Sequence, residues 1–141
     1  MPDEKILITG GIGYIGGRIA DSLKRNFPDA TIILGSRRKL SQFPSWAQSF
    51  QKIQIDICDP VSAQHAVENT NTIIHLACLN ENDSLSNIQS TWETNALGTE
   101  NLLSVAEKNG IQKFIYFSTI HVYGDLEGEI TEDSPTRPFH P

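Results

Sequence analysis

Lys5-Ile-Leu-Ile-Thr-Gly-Gly-Ile-Gly-Tyr-Ile-Gly-Gly17 is the stretch whose reading decides the fold. It reads as a short apolar strand, a glycine-rich turn and the opening of an amphipathic helix. Gly11, Gly13 and Gly16 satisfy the G-x-G-x-x-G spacing of a dinucleotide-binding turn. Glycine suits such a turn because the chain needs unusual backbone angles there, and a Cβ would hold the backbone away from a pyrophosphate. The helix that follows aims free N–H groups and its positive dipole end at the phosphates. The spacing alone arises by chance in many glycine-containing loops. A strand before it, a helix after it and a place near the N-terminus give it weight.

Outward from this turn, β and α patterns alternate. A helix from Tyr14 to Asn26 puts Ile15, Ile19, Ala20 and Leu23 on one face and Arg18, Asp21, Lys24 and Arg25 opposite. Ala30-Thr-Ile-Ile-Leu34 is an apolar run without polar alternation, as in a parallel strand covered on both faces. Residues 41–50 form a short helix at best, because Pro44 interrupts them. Lys52-Ile-Gln-Ile-Asp56 is a third strand, and Asp59-Pro60 caps and opens a helix reaching about Glu68. Thr72-Ile-Ile-His-Leu-Ala-Cys78 is a fourth strand, followed by a polar loop. A helix from about Ser90 to Asn109 carries Trp92, Ala96, Thr99, Leu103 and Ala106 at helical spacing, with Gly110 as its left-handed cap. Lys113-Phe-Ile-Tyr-Phe-Ser118 is the fifth strand. The expectation is an α/β fold, a doubly wound parallel sheet of the Rossmann type with about five strands.

The 141 residues fit one dinucleotide-binding domain, 1–141, with 38% hydrophobic and 20% charged residues. No apolar run approaches a membrane-spanning length, and the first residues lack the features of a signal peptide. A net charge of −6 without a basic stripe argues against a nucleic-acid partner. Cys58 and Cys78 lie in apolar segments and read as reduced core residues. A cytoplasmic chain is expected.

The second strand ends in Leu34-Gly-Ser-Arg-Arg38, without the carboxylate that would hold an unmodified adenosine ribose. Ser36 and the guanidinium of Arg37 or Arg38 suit a 2′-phosphate instead, so NADP is expected in preference to NAD. Among the histidines, His75 lies in an apolar strand and reads as a hydrogen-bonded core residue. None of His65, His75, His121 and His140 has a partner at a convincing metal spacing, so no metal is expected. The acidic stretch Asp125 to Asp133 reads as a solvated loop.

Five segments together resemble the extended short-chain dehydrogenase/reductase family, in its sugar-nucleotide epimerase/dehydratase group. Thr9-Gly-Gly-Ile-Gly-Tyr-Ile-Gly16 resembles that family's T-G-x-x-G-x-x-G turn, which implies cofactor contacts from Gly10, Gly11, Gly13, Tyr14, Ile15 and Gly16. Asp56-Ile-Cys-Asp59 is similar to its D-h-x-D segment, implying that Asp56 and Ile57 meet adenine. His75-Leu-Ala-Cys78 resembles H-L-A-A with Cys in the last position, which would run Leu76, Ala77 and Cys78 beside the cofactor. Asn95-Ala-Leu-Gly-Thr-Glu-Asn101 matches N-x-x-G-T-x-N, whose first Asn shapes the active-site floor. Ser118-Thr-Ile-His-Val-Tyr-Gly124 resembles S-[ST]-x-x-V-Y-G, implying a cofactor role for Ser118 and a catalytic one for Thr119.

The resemblance implies hydride transfer between nicotinamide and a sugar carbon. A Ser or Thr positions the hydroxyl, and a Tyr and Lys from Y-x-x-x-K handle the proton. No Y-x-x-x-K occurs here, because Tyr14, Tyr116 and Tyr123 are followed four places on by Arg18, Ile120 and Glu127. Tyr123 belongs to the V-Y-G segment instead. The expectation is therefore the N-terminal part of a longer enzyme, inactive alone, marginally stable or prone to self-association, and acting in full on a sugar-nucleotide-like substrate. A non-enzymatic NADP-binding regulatory module and an inert structural fragment are the alternatives. Dehydratases of the dTDP-glucose 4,6-dehydratase type follow the catalytic Thr with Asp and Glu. Here Ile120 and His121 follow it, which disfavours water elimination and leaves an epimerase or a reductase.

Overall fold

In a computed structural model that describes residues 4–125 and 128–138, five parallel strands form one sheet in the order β3-β2-β1-β4-β5. They are β1 (Lys5–Thr9), β2 (Thr31–Ser36), β3 (Gln51–Gln54), β4 (Thr72–His75) and β5 (Lys113–Tyr116). The chain steps from β1 outward to β2 and β3, then crosses back to β4 on the other side of β1. Right-handed crossovers put the two sets of connections on opposite faces. Helix α1 (Tyr14–Asn26) and two single 3₁₀ turns (Leu40–Gln42 and Ser45–Ser49) cover one face. Their core joins Ile6, Ile8 and Leu34 to Ala20, Phe43 and Ala47. The other face packs Leu7, Ile55 and Ile73 against α2 (Pro60–Val67) and α5 (Gly98–Lys108), through Ala63, Val67, Leu102 and Val105. Successive β1 residues thus enter different cores. Burial on both faces explains why the strand is an unbroken apolar run.

Local chemistry sets the element ends as expected in several places. Asp59 caps α2, its carboxylate accepting from the Val61 and Ser62 N–H groups at 3.1 and 3.3 Å. Gly110 follows α5 at φ +66°, the left-handed value of a glycine cap. The interval around Ser45 contains only 3₁₀ turns, consistent with Pro44 blocking a longer helix.

Three expectations change. The polar loop after β4 contains helix α3 (Glu81–Ser86), and the long helix beginning near Ser90 is not uniform. A short α4 (Ile88–Thr91) passes through a π turn at Trp92–Leu97 into α5. That wider turn shifts the phase of the helix. Trp92 and Leu103 therefore face outward, 60% and 45% exposed, while Thr94, Gly98, Leu102 and Val105 face the sheet. The cysteines are also not core residues. β3 and β4 stop at Gln54 and His75, so Cys58 and Cys78 fall in loops beyond the sheet, free and exposed. Of the acidic stretch 125–133, residues 126 and 127 lie outside the described residues, as does His140. The residues around them are mostly exposed.

The turn between β1 and α1 folds tightly upon itself. Gly10 has φ +67°, and a Cβ on Gly16 would stand 2.6 Å from the Gly10 carbonyl oxygen and 2.7 Å from the Gly11 Cα. Both obstacles are backbone and cannot swing aside. Gly16→Ala should destabilise the domain by about 1–3 kcal/mol through overpacking, despite alanine's better helix propensity. Urea-denaturation midpoints of the two proteins check this, and an unchanged midpoint would refute the close approach.

Candidate functional site

The order reversal between β1 and β4 leaves a crevice beyond the carboxyl ends of the strands, where ligands of open α/β sheets bind. A cavity of about 340 Å³ opens there. The glycine turn supplies Gly10, Ile12 and Gly13, the end of β2 supplies Ser36, Arg37 and Arg38, and the stretch after β3 supplies Ile55 and Ile57. Leu76, Ala77 and Cys78 form its wall after β4, and Thr94 enters from the π turn. An adjoining hollow shares Arg37 and Thr94 with it and adds Asp56, Cys58 and Glu93.

The cavity is positive on one side and held by main-chain hydrogen bonds on the other. Gly13 is the N-cap of α1 and offers no side-chain cap. The first bond of that helix runs from the Gly17 N–H to the Gly13 carbonyl at 2.9 Å, so the N–H groups of Tyr14, Ile15 and Gly16 precede it. Uncapped donors at a positive dipole end, with no Cβ on Gly13, suit a pyrophosphate. At the β2 end, Ser36 Oγ accepts from the Arg38 N–H at 3.3 Å and keeps its own proton to donate. Arg37 and Arg38 are exposed, and neither forms an ion pair among the described residues. This donor set fits a nicotinamide dinucleotide.

Comparison with known proteins agrees with that geometry. The profile of the NAD dependent epimerase/dehydratase family matches residues 6–141. The chain belongs to that family. A mouse dTDP-D-glucose 4,6-dehydratase is 34% identical over 150 aligned residues, covering 98% of this chain and 42% of its own length. The L-threonine dehydrogenase of Clostridium difficile superposes with a TM-score of 0.84 at 28% identity, over 99% of this chain and 44% of its own. The UDP-Glc/GlcNAc 4-epimerase of Campylobacter jejuni gives 0.83 at 28%, over 97% and 44%. This epimerase/dehydratase chain thus spans less than half the length of the relatives it matches.

The structure gathers many of the expected residues of this family member. Gly10, Gly13, Ser36, Arg37, Ile57, Leu76, Ala77 and Cys78 all line the cavity, and Asp56 lines the adjoining hollow. Gly11 and Gly16 are buried beneath the turn. Tyr14 and Ile15 are exposed at the start of α1, and the Tyr14 ring borders a separate groove with Arg18 and Trp46. Asn95 does not line the cavity. Its Oδ1 accepts from the Leu79 N–H at 2.8 Å, and its Nδ2 donates to the Leu79 carbonyl at 3.4 Å. Ser118 and Thr119 lie exposed after β5 and are not among the residues that line the cavity. The Thr119 hydroxyl accepts from the His121 N–H at 3.3 Å, capping the 3₁₀ turn Ile120–Tyr123.

Sequence reasoning missed Thr94, because only the π turn brings it to the cavity. It also missed Thr9, whose motif position was its one available signal. Thr9 Oγ1 contacts His75 Nδ1 at 2.6 Å and accepts from the Leu76 and Ala77 N–H groups. Although both residues are exposed overall, partial desolvation of the sulfur raises the Cys78 thiol pKa, and the same effect followed by the Asp56 carboxylate raises that of Cys58. Both thiols therefore stay protonated near neutrality and are weak nucleophiles. No group that could hold a metal occurs among the described residues.

His75 is the buried histidine expected from its strand, 1% exposed, and burial lowers its pKa from 6.5 to about 4. The unfolded chain then takes up a proton below pH 6.5 that the folded chain refuses until about pH 4. Stability from this group is complete above the unfolded value and falls as pH drops through that window, by about 3 kcal/mol in total. Urea midpoints from pH 7.5 to 4.5 should decline less steeply in His75→Gln than in the native chain. Equal slopes would exclude the buried neutral imidazole.

Proposed function

We propose that this chain is the cofactor-binding part of a nucleotide-sugar oxidoreductase of the epimerase or reductase type, with NADP(H) preferred over NAD(H). The observation that carries this reading is the uncapped start of α1 facing a cavity whose β2 end presents Ser36, Arg37 and Arg38 where a carboxylate would select NAD. A 2′-phosphate there would meet two guanidiniums and a hydroxyl donor, and charge-assisted bonds of this kind are among the strong ones. A bound nicotinamide would accept or deliver hydride at the substrate carbon. The chain's own residues would hold the phosphates at the glycine turn, orient the cofactor against the Leu76–Cys78 wall, and offer the Thr119 hydroxyl to the substrate.

Ile120 and His121 favour the epimerase or reductase type over the dehydratase type. Water elimination needs an acid and a base beside the reacting carbons, and isoleucine can be neither. The mouse relative is named a dehydratase, so its likeness supports the nucleotide-sugar class and not the reaction type. Turnover would need a tyrosine and a lysine that this chain lacks in the required spacing. Adding the separately expressed C-terminal half of a family member should create activity if the enzyme reading holds. A pure regulatory module would stay inactive. Among the described residues β5 pairs only with β4, and Ile115, Tyr116 and Phe117 at its open edge are each about half exposed, which supports association between copies.

Calorimetry with NADPH and NADH tests the cofactor assignment. NADPH should bind more tightly, and Arg37→Ala and Arg38→Ala should each weaken NADPH about tenfold while leaving NADH little changed. Tighter NADH binding would overturn the NADP preference and leave the dinucleotide site standing. Binding of neither would overturn the site itself.

A further inference from the structure

The wall of the cavity at residues 76–79 is held by side chains from three other elements, and hydrogen-bond arithmetic gives their connection a direction. Thr9 Oγ1 accepts from the Leu76 and Ala77 N–H groups, each at 3.2 Å, the Leu76 N–H being shared with the Thr9 main-chain carbonyl, also at 3.2 Å. A hydroxyl oxygen has two lone pairs, so both are occupied and its proton is the one in the 2.6 Å contact with His75 Nδ1. That makes Nδ1 an acceptor. At the other end, the Thr99 hydroxyl donates its only proton to the Asn95 carbonyl at 2.8 Å. Thr99 Oγ1 can therefore only accept from His75 Nε2, 2.9 Å away. Both hydroxyls, reasoned separately, require the same tautomer, with the proton on Nε2. Asn95 completes the circuit through its side-chain bonds to both main-chain groups of Leu79.

We propose that Thr9, His75, Thr99 and Asn95 form one directional relay, with His75 as its Nε2–H tautomer, that positions residues 76–79 as the cofactor-facing wall. The wall is pinned by Thr9 at its start and by Asn95 at its end, and Cys78 lies between the pins on the cavity. Thr9 and His75 are 0% and 1% exposed, so water does not compete for these bonds. The Phe114 and Tyr116 rings of β5 lie 5.8 and 5.7 Å from the imidazole and close its open side. These four are positioning residues, since none of their side chains lines the cavity. The consequence for affinity rests on the dinucleotide reading above, whereas the relay itself does not.

Two measurements on the ligand-free chain test the relay. Long-range ¹⁵N–¹H correlation of the His75 ring should show Nδ1 without a proton and Nε2 with one. A proton on Nδ1 would overturn the assignment. Amide hydrogen exchange should accelerate in Thr9→Val about tenfold more at Ala77 than at Leu76, because Ala77 loses its acceptor whereas the Leu76 N–H keeps the Thr9 main-chain carbonyl at 3.2 Å. Thr9→Ser should restore protection, and equal acceleration at both amides would reduce Thr9 to a plain packing residue. Should Thr9→Val not fold, Thr99→Val serves instead. It removes the acceptor of Nε2–H, so that proton's slowly exchanging resonance should vanish, and its persistence would refute the link.

Titration with NADPH and NADH then reads the consequence. The native chain should bind, Thr9→Val should bind about tenfold more weakly, and Thr9→Ser should recover. A native chain that binds neither nucleotide would sink the dinucleotide reading while the ring and exchange data still decide the relay. Unchanged affinity in a Thr9→Val chain with faster exchange at Ala77 would overturn the wall's role in binding.

Discussion

The fold depends on a place where only hydrogen atoms fit. The β1–α1 turn doubles back until the Gly10 carbonyl lies against the first turn of α1, leaving no room for a Cβ on Gly16. That contact sets how close α1 comes to the sheet, and so where its uncapped N–H groups point. A side chain there would lift the helix start off the strand ends and move the phosphate donors away from the crevice. Those donors are open to a ligand because the first N–H groups of a helix have no intrahelical acceptor and Gly13 supplies no side-chain cap.

Electrostatics and main-chain anchoring divide the crevice between them. The β2 end offers positive charge on exposed, adaptable arginines, suited to meeting an anion from solvent. The β4 end offers no charge. Its shape is held by buried hydrogen bonds that gain strength from the lack of competing water. His75 serves the second purpose only as a neutral ring, and burial keeps it neutral. One side of the cavity thus attracts while the other is shaped, and both come from segments immediately after parallel strands.

How much of this was legible varied with the range of the interaction. The first βαβ unit, the Asp59 cap and the Gly110 cap could be read because each depends on neighbours within a few residues. The cysteines could not. Their apolar flanks suggested core, but strand length depends on pairing across the sheet, and β3 and β4 ended too soon. The π turn at Trp92–Leu97 was invisible for a related reason. No single residue marks it, and its effect is a phase shift that turns Trp92 outward and Thr94 toward the cavity. Asn95 matched a family motif, yet its amide holds the Leu79 main chain, a role that depends on where the segment after β4 lies.

By itself the sequence determined that this chain builds a parallel α/β sheet with a glycine cradle at its first turn, because hydrophobic period, turn chemistry and capping act locally. Family membership could be read from it too, since motif order survives without coordinates. The tertiary structure alone decided which hydroxyls meet His75. Thr9, His75 and Thr99 lie 66 and 24 residues apart along the chain, and their bonds exist only once β1, β4 and α5 pack together. A hydrogen bond needs atoms within about 3 Å, and only the packed chain supplies that proximity.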